Sequence, residues 1–425
     1  MTTIWQEGVG RALLAASIAL VATLFALVFL RPLAVSAGLI DRPTERKAHG
    51  APTPAFGGLA IVVGVAPLVL FLLPLSPQIR GFATAAVIVL VEGAADDRWR
   101  IRWQYRIAAQ VAAALALIYI GGVRIDHIGM VFGFPNHNLG PLSAPLTVLA
   151  TVGIINAVNM ADGVDGLAGA VCLVSYSLLA AAALYAGNAR LADGLILLMG
   201  GLCAFLLFNL RTPWNPRAHL FIGNAGAEFL GLVIACASFR LTQNPLHPVG
   251  PRLAPFLIAP PLLDCLALIA LRVKRGQSPF NADRNHLHHL MLEAGYSTTA
   301  IVVVISGATL AIGVAAALAL KAHAPAPLFT AVFVALLIGH IVWSHNREHA
   351  VARLTWLREL AGFRSREPAD PAPAYAPLPT EPMPVSDAKA RLWLTPSDDL
   401  GAFETDSSPV LQAQSAHRDD GRMRV

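Results

Sequence analysis

Charge is scarce in this sequence. Asp, Glu, Lys and Arg make up 13% of its 425 residues, about half of the roughly 25% found in soluble proteins. Hydrophobic residues reach 56% and the mean hydropathy is +0.60. That much apolar side chain exceeds what one aqueous core can hide, which excludes a string of soluble domains and makes lipid the main solvent. Cysteine is scarce as well. Cys172, Cys203, Cys236 and Cys265 all sit inside apolar stretches without a CxxC pair, so neither a disulfide framework nor a zinc site is indicated. No dense basic patch exists either. The net charge is +5, but the basic residues are dispersed between apolar segments, which excludes nucleic-acid binding.

What is present is a series of apolar runs near the roughly 20 residues a membrane span needs. They fall at about 10–30, 56–75, 79–95, 105–122, 143–160, 165–187, 190–210, 225–242, 254–273, 299–320 and 325–344. The expected fold class is an all-α polytopic membrane protein with about eleven transmembrane helices. Val35-Ser36-Ala37 offers a passable cleavage pattern, but cutting there would leave Asp41–His49 outside the cell, so the first span is read as retained. With the N-terminus outside, fourteen Lys and Arg fall in cytoplasmic loops and seven on the opposite side, the bias expected of cytoplasmic loops. A transmembrane catalytic domain is expected over 1–345. Residues 346–363 place Arg347, Arg353 and Arg358 beside Leu354, Trp356 and Leu360, the pattern of an amphipathic helix at the membrane surface. The Pro-rich segment 364–425 is too polar to order itself and is expected to be a disordered cytoplasmic tail.

Four polar segments interrupt the apolar ones, all on the cytoplasmic side in that orientation. Asp96-Asp97-Arg98 ends the third span. Adjacent carboxylates repel unless something positive neutralises them; a hard divalent cation would, since Mg²⁺ favours one or two carboxylates plus phosphate oxygens. A helix end paired with Arg98, Arg100 and Arg102 is the plainer alternative. Asn156-Ala-Val-Asn159-Met-Ala-Asp162-Gly-Val-Asp165-Gly joins the fifth and sixth spans, with each like pair three residues apart and so able to share a helical face. Gly163 and Gly166 allow a tight reversal. Asp283-Arg284-Asn-His286-Leu-His288-His289 suits phosphate or sugar recognition better than zinc, having no spaced second ligand pair. Lys47 and His49 sit in the first loop, where positive-inside charge explains them equally well.

Together these motifs resemble the polyprenyl-phosphate N-acetylhexosamine-1-phosphate transferases, over roughly residues 35–295. That family includes bacterial enzymes that begin O-antigen, enterobacterial common antigen and teichoic acid synthesis, and more distantly the peptidoglycan translocase. The resemblance implies transfer of a sugar 1-phosphate from a UDP-N-acetylhexosamine to undecaprenyl phosphate at the bacterial inner membrane, aided by Mg²⁺, with Mn²⁺ as an alternative. The expected partners are those two substrates and the lipid bilayer, with a homodimer allowed. It places Asp96 and Asp97 as the acidic pair that binds Mg²⁺ or acts as base on the lipid phosphate. Asp162 and Asp165 become the second catalytic pair. Lys47, His49, Asn156, Asn159, Arg284, His286, His288 and His289 become substrate-binding residues.

One segment departs from the family pattern. Phe221-Ile-Gly-Asn224-Ala-Gly-Ala227-Glu228 stands where the family has Phe-Met-Gly-Asp-Ala-Gly-Ser, whose aspartate is regarded as a metal ligand. A carboxamide brings an oxygen but no charge. Glu228, one turn further on, is expected to supply the missing carboxylate, and Glu92, one turn before Asp96, is a second candidate. The alternatives are a non-catalytic relative that binds lipid phosphate or an assembly partner, and a transporter. The transporter would need related halves and midplane carboxylates, and the sequence contains no repeat.

Overall fold

Helices form wherever the apolar runs predict them. The computed structural model describes residues 2–41, 53–129, 138–244, 247–279 and 284–363. Lys47, His49, Asp283 and the Pro-rich segment lie outside the described residues. In chain order the helices are α1 Thr2–Ser36, α2 Gly57–Leu72, α3 Pro77–Trp99, α4 Trp103–Tyr119, α5 Ser143–Ala161, α6 Leu167–Tyr185 and α7 Ala189–Asn209. There follow α8 Gly223–Thr242, α9 Ala259–Lys274, α10 Leu287–Glu293, α11 Thr298–Lys321, α12 Ala326–Ser344 and α13 Arg347–Leu360. A 3₁₀ segment, Pro251–Ile258, leads into α9.

Among the described residues, nine helical segments are long and apolar enough to cross a membrane. The fold is therefore that of an all-α, multi-pass membrane protein. The other two expected spans are helices in the expected places but shorter. α2 has 16 residues and α4 has 17, about 25 Å of helix at 1.5 Å per residue against a hydrocarbon core of roughly 30 Å. Pro74 and Pro77 follow α2, and Gly121-Gly122 follows α4, so neither can extend.

α8 is the axis. Of its 20 residues only Asn224 and Arg240 are not buried. Its neighbours come close because small residues line the contacts. A Cβ on Gly58 of α2 would stand 1.9 Å from the Gly226 Cα, and one on Gly93 of α3 would stand 2.4 Å from the Ala225 Cα. By contrast, α12 buries only Phe329 and Ser344, as expected for a peripheral helix whose solvent is lipid. A two-residue ribbon, β1 Ile40–Asp41 against β2 Thr53–Pro54, ties the end of α1 to the start of α8. The Phe221 N–H donates to the Pro54 carbonyl, and the Gly57 and Gly58 N–H groups donate to the Phe221 and Ile222 carbonyls.

Candidate active site

Asp96 and Asp97 occupy the last turn of α3, which ends with Arg100 in the left-handed region at φ 51°. Successive helical residues point about 100° apart, so these neighbours meet different surroundings. The first N–H groups of α8 have no acceptor within their own helix, and Ile222 at its N-cap offers none. Asp97 supplies it from another helix. Its Oδ1 accepts from the Asn224 N–H and the Asn224 side-chain amide, both at 2.9 Å, and its Oδ2 accepts from the Ala225 N–H at 3.3 Å. The positive end of the α8 dipole thus faces a carboxylate. Gly223, at φ 76°, is needed there, since a Cβ would fall 2.6 Å from Asp97 Oδ2.

Asp96 turns the other way and is buried. Arg106, in the first turn of α4, sends Nη1 to Asp96 Oδ2 at 3.3 Å and Nη2 to Glu228 Oε1 at 3.1 Å. Its Nε lies 4.0 Å from Glu92 Oε1. The planar fork of a guanidinium suits such a multiple grip. Glu228, at 0% exposure, also accepts from Gln110 Nε2 at 3.1 Å. Gln110 Oε1 in turn accepts from Asn156 Nδ2 at 2.6 Å. One network therefore joins α3, α4, α5 and α8. Glu228 was expected to replace the missing carboxylate beside Asn224; its hydrogen bonds instead run to Arg106 and Gln110. A carboxylate inside a span needs such a partner. Asn224 directs its own amide to Asp97.

The second motif folds as a turn, and this corrects the expectation that its aspartates share a helical face. α5 ends at Ala161 with the Asp162 N–H on the Asn159 carbonyl at 3.3 Å. Gly166 adopts φ 82°, a conformation closed to most side chains. Asp162 is exposed, whereas Asp165 is buried with its Oδ2 2.6 Å from both Arg211 Nε and Arg211 Nη2. Asn209, at the end of α7, fastens this turn to the approach to α8. Its Oδ1 accepts from the Gly166 N–H at 2.7 Å and its Nδ2 donates to the Leu220 carbonyl at 2.8 Å.

The histidines meet that same turn. A Cβ on Gly163 would stand 2.2 Å from His288 Nε2, so glycine here is a condition for histidine there. His288 is buried, its Nε2 has no hydrogen-bond partner among the described residues, and its ring packs between His286 and His289 at centroid distances of 5.7 and 4.2 Å. Burial, then the neighbouring His289 and His286, lower its pKa to about 3. Burial lowers that of His289 as well. His286 Nδ1 lies 2.8 Å from Asp264 Oδ2, and Asp264 Oδ1 accepts the Leu287 N–H at 3.0 Å. His340 of α12 reaches the same oxygen at 3.2 Å. Arg284 lies exposed just before the histidines.

Arg106, Gln110, Asn209, Arg211 and Asp264 were not singled out from the sequence as site residues. Arg106 and Arg211 counted only as cytoplasmic charge. Asp264 did carry a signal, as a lone carboxylate inside the apolar run of α9.

Beside Asp97 opens a pocket of about 300 Å³ lined by Gly38, Ile40, Asp41, Asp97, Arg98 and Arg100. Among the described residues, no group of three or more His, Cys, Asp or Glu side chains is arranged to hold a metal ion. Asp97 nevertheless offers carboxylate oxygens and Asn224 a carboxamide oxygen, the hard donors that fit a cation such as Mg²⁺ or Mn²⁺. Such an ion is usually held by one or two carboxylates and completed by substrate phosphates.

Fold and site together define a multi-pass membrane protein with acidic residues and histidines from separate helices joined by a continuous set of contacts. Residues 79–242 match the model of glycosyl transferase family 4. The undecaprenyl-phosphate alpha-N-acetylglucosaminyl 1-phosphate transferase of Haemophilus influenzae is 32% identical over 337 residues, covering 79% of this chain and 93% of the relative. Those of Escherichia coli K12 and Yersinia pestis are 33% and 32% identical, covering 68% and 67% of this chain and 78% of each relative. The chain belongs to glycosyl transferase family 4.

Proposed function

We propose that the protein transfers a sugar 1-phosphate, N-acetylhexosamine 1-phosphate by preference, from a UDP-sugar to undecaprenyl phosphate. A phosphate oxygen of the lipid attacks the sugar-linked phosphorus, the bond between the two phosphates of the nucleotide breaks, and UMP leaves. The reaction is the first membrane step of a cell-surface polysaccharide. The observation that supports this best is the join between Asp97 and the α8 N-terminus beside a pocket bearing Arg98 and Arg100. Two anions must approach each other here, so the main task is charge neutralisation and positioning.

In this reading Asp97, with Asn224 beside it, would hold the cation, and Asp96, turned to Arg106, would set the charge behind it. A bound Mg²⁺ or Mn²⁺ supplies positive charge against the phosphates. Arg106 fixes Asp96, while Glu228 and Gln110 fix Arg106. Arg98 and Arg100 receive phosphate oxygens. Asp162, exposed on its turn, faces substrate, and Asp165 holds the turn through Arg211. The loop of Arg284, His286, His288 and His289 takes the nucleotide sugar, with Asn156 and Asn159 bordering the site and Lys47 and His49 reaching lipid or nucleotide phosphate. The body 1–345 carries eleven membrane passes, α2 and α4 included, with the N-terminus outside and the site on the cytoplasmic side of a bacterial inner membrane.

The test is release of UMP by the purified protein in liposomes containing undecaprenyl phosphate, with Mg²⁺ and a panel of UDP-N-acetylhexosamines. Activity is expected with at least one sugar and its loss in Asp96→Asn. Wild-type protein that binds the lipid yet releases no UMP would favour a non-catalytic relative. Activity that survives Asp96→Asn would remove the aspartate pair from the chemistry.

A further inference from the structure

The histidines sit on a helix that cannot hold itself. α10 has seven residues, whereas isolated helices shorter than about 12 residues are marginal in water. Its N-cap residue, His286, makes no side-chain cap. Asp264 gives one anchor from α9. Val164, Leu167 and Val171 and the start of α11 pack on it from one side, and α13, separated from the last span by two residues, holds it from another. Ala350 and Leu354 of α13 are buried in one cluster with Leu290, Met291 and Ala294. The Tyr296 hydroxyl donates to the Leu354 carbonyl at 3.0 Å.

Two arginines of α13 grip the loop at its two ends. Arg347 Nη1 donates to the Arg284 carbonyl and to Asn285 Oδ1, both at 2.7 Å, just before the histidines. Its Nη2 pairs with Glu293 at the far end of α10. Arg358 Nη1 donates to the Ala294 carbonyl at 2.9 Å. Gly295, at φ 83°, leaves room for that guanidinium, because a Cβ would stand 2.2 Å from Arg358 Nη1. A surface-lying helix needs none of these bonds, which all go to the histidine loop or the residues flanking it.

We propose that α13 is a clamp on the histidine loop and that Arg347 is a positioning residue for the nucleotide-sugar site. This rests on the reading that the loop takes the nucleotide sugar. Arg347 touches no substrate; it acts by holding residues 284–293 in register with Gly163 and Asp264. The face of α13 carrying Trp356 and Leu360, 61% and 70% exposed, stays free for the lipid surface.

The experiment uses the full chain in liposomes and compares wild type, Arg347→Ala, Arg347→Lys and Arg358→Ala by steady-state UMP release and amide hydrogen exchange. Arg347→Ala is expected to raise KM for UDP-N-acetylglucosamine about 10-fold or more, the scale set by small misplacements of binding groups. The KM for undecaprenyl phosphate should change less than about two-fold, since the aspartate side is untouched. Lysine should recover part of the loss, and Arg358→Ala should shift the same constant less. Exchange should quicken over 284–293 and stay unchanged over 223–228. Equal rises in both KM values, or exchange at 284–293 that does not respond, would overturn the clamp. If the wild type releases no UMP, the functional reading fails alone, and the exchange data still decide whether α13 holds the loop.

Discussion

The two halves of the site are built on opposite principles. The aspartate half is carried by long, mutually packed spans, and Asp96, Asp97 and one oxygen of Glu228 find their partners inside the membrane fold in Arg106, Gln110 and the start of α8. The histidine half is carried by a seven-residue helix pinned from outside by Asp264, Gly163 and α13. A charge placed within spans must have its partner built in, because unpaired charge in lipid is costly. A group on a short loop segment can instead be positioned by bonds from neighbours. The first half should therefore fail in chemistry and stability, the second in substrate affinity.

The largest break is expected at Asp97. Asp97→Asn should lower the rate of UMP release about 10²- to 10³-fold, the range for loss of one key electrostatic group, measured under saturating substrates. A variant retaining most of the wild-type rate would move the chemistry away from α3. Next comes the seam between the halves. Gly163→Ala puts a methyl where His288 Nε2 lies and should reduce kcat/KM for the UDP-sugar roughly 10- to 100-fold. Its melting temperature should stay near the wild-type value. A fall in melting temperature without a change in kcat/KM would mean that the His288 contact serves folding alone.

Glu228→Leu sharpens the stability side. Arg106 keeps Asp96 but loses its fully buried partner, and Gln110 loses an acceptor, so a loss of about 1–2 kcal/mol is expected. Thermal unfolding in detergent reads it, and unchanged or raised stability would show that the acid is not needed by its arginine. The smallest effect concerns pH. The opened loop binds a proton at His288 near the ordinary value of 6.5, while the folded loop does so only near 3. Between those values the open form holds more protons, so loop stability is complete above about pH 6.5 and declines as pH falls. KM for the UDP-sugar should rise as pH is lowered from 7.5 to 5.5, and less steeply in His288→Gln. Identical profiles would place the titration elsewhere.

The placement of the helices was legible in the sequence because lipid imposes one strong requirement, an unbroken apolar run. Span length was less so: apolar content over 56–75 and 105–122 does not reveal where proline, glycine or a polar N-terminal turn trims a helix. The aspartates and histidines were legible as motifs, but their partners were not. Arg106 and Gln110 read as ordinary charge and polarity at the start of a span, and nothing local links them to Glu228, 122 and 118 residues away. Asp162 and Asp165 share a helical spacing, yet α5 stops at Ala161 and the turn that follows leaves the first exposed and the second buried. Backbone conformation of that kind follows from tertiary packing, and periodicity does not encode it.

The nearly complete enclosure of α8 bears on how the chain is made. Its best 18-residue window has a hydropathy of 1.4, close to the 1.3 of α3 and well below the 2.7 of α1, and it brings the fully buried Glu228 with it. As a nascent segment leaving the ribosome it is a poor candidate for dwelling alone among acyl chains. The hairpin of α3 and α4, which carries Arg106 and Gln110, is synthesised more than a hundred residues earlier. A receptive groove thus precedes the segment it receives, and the order of translation matches the order in which the charges require one another.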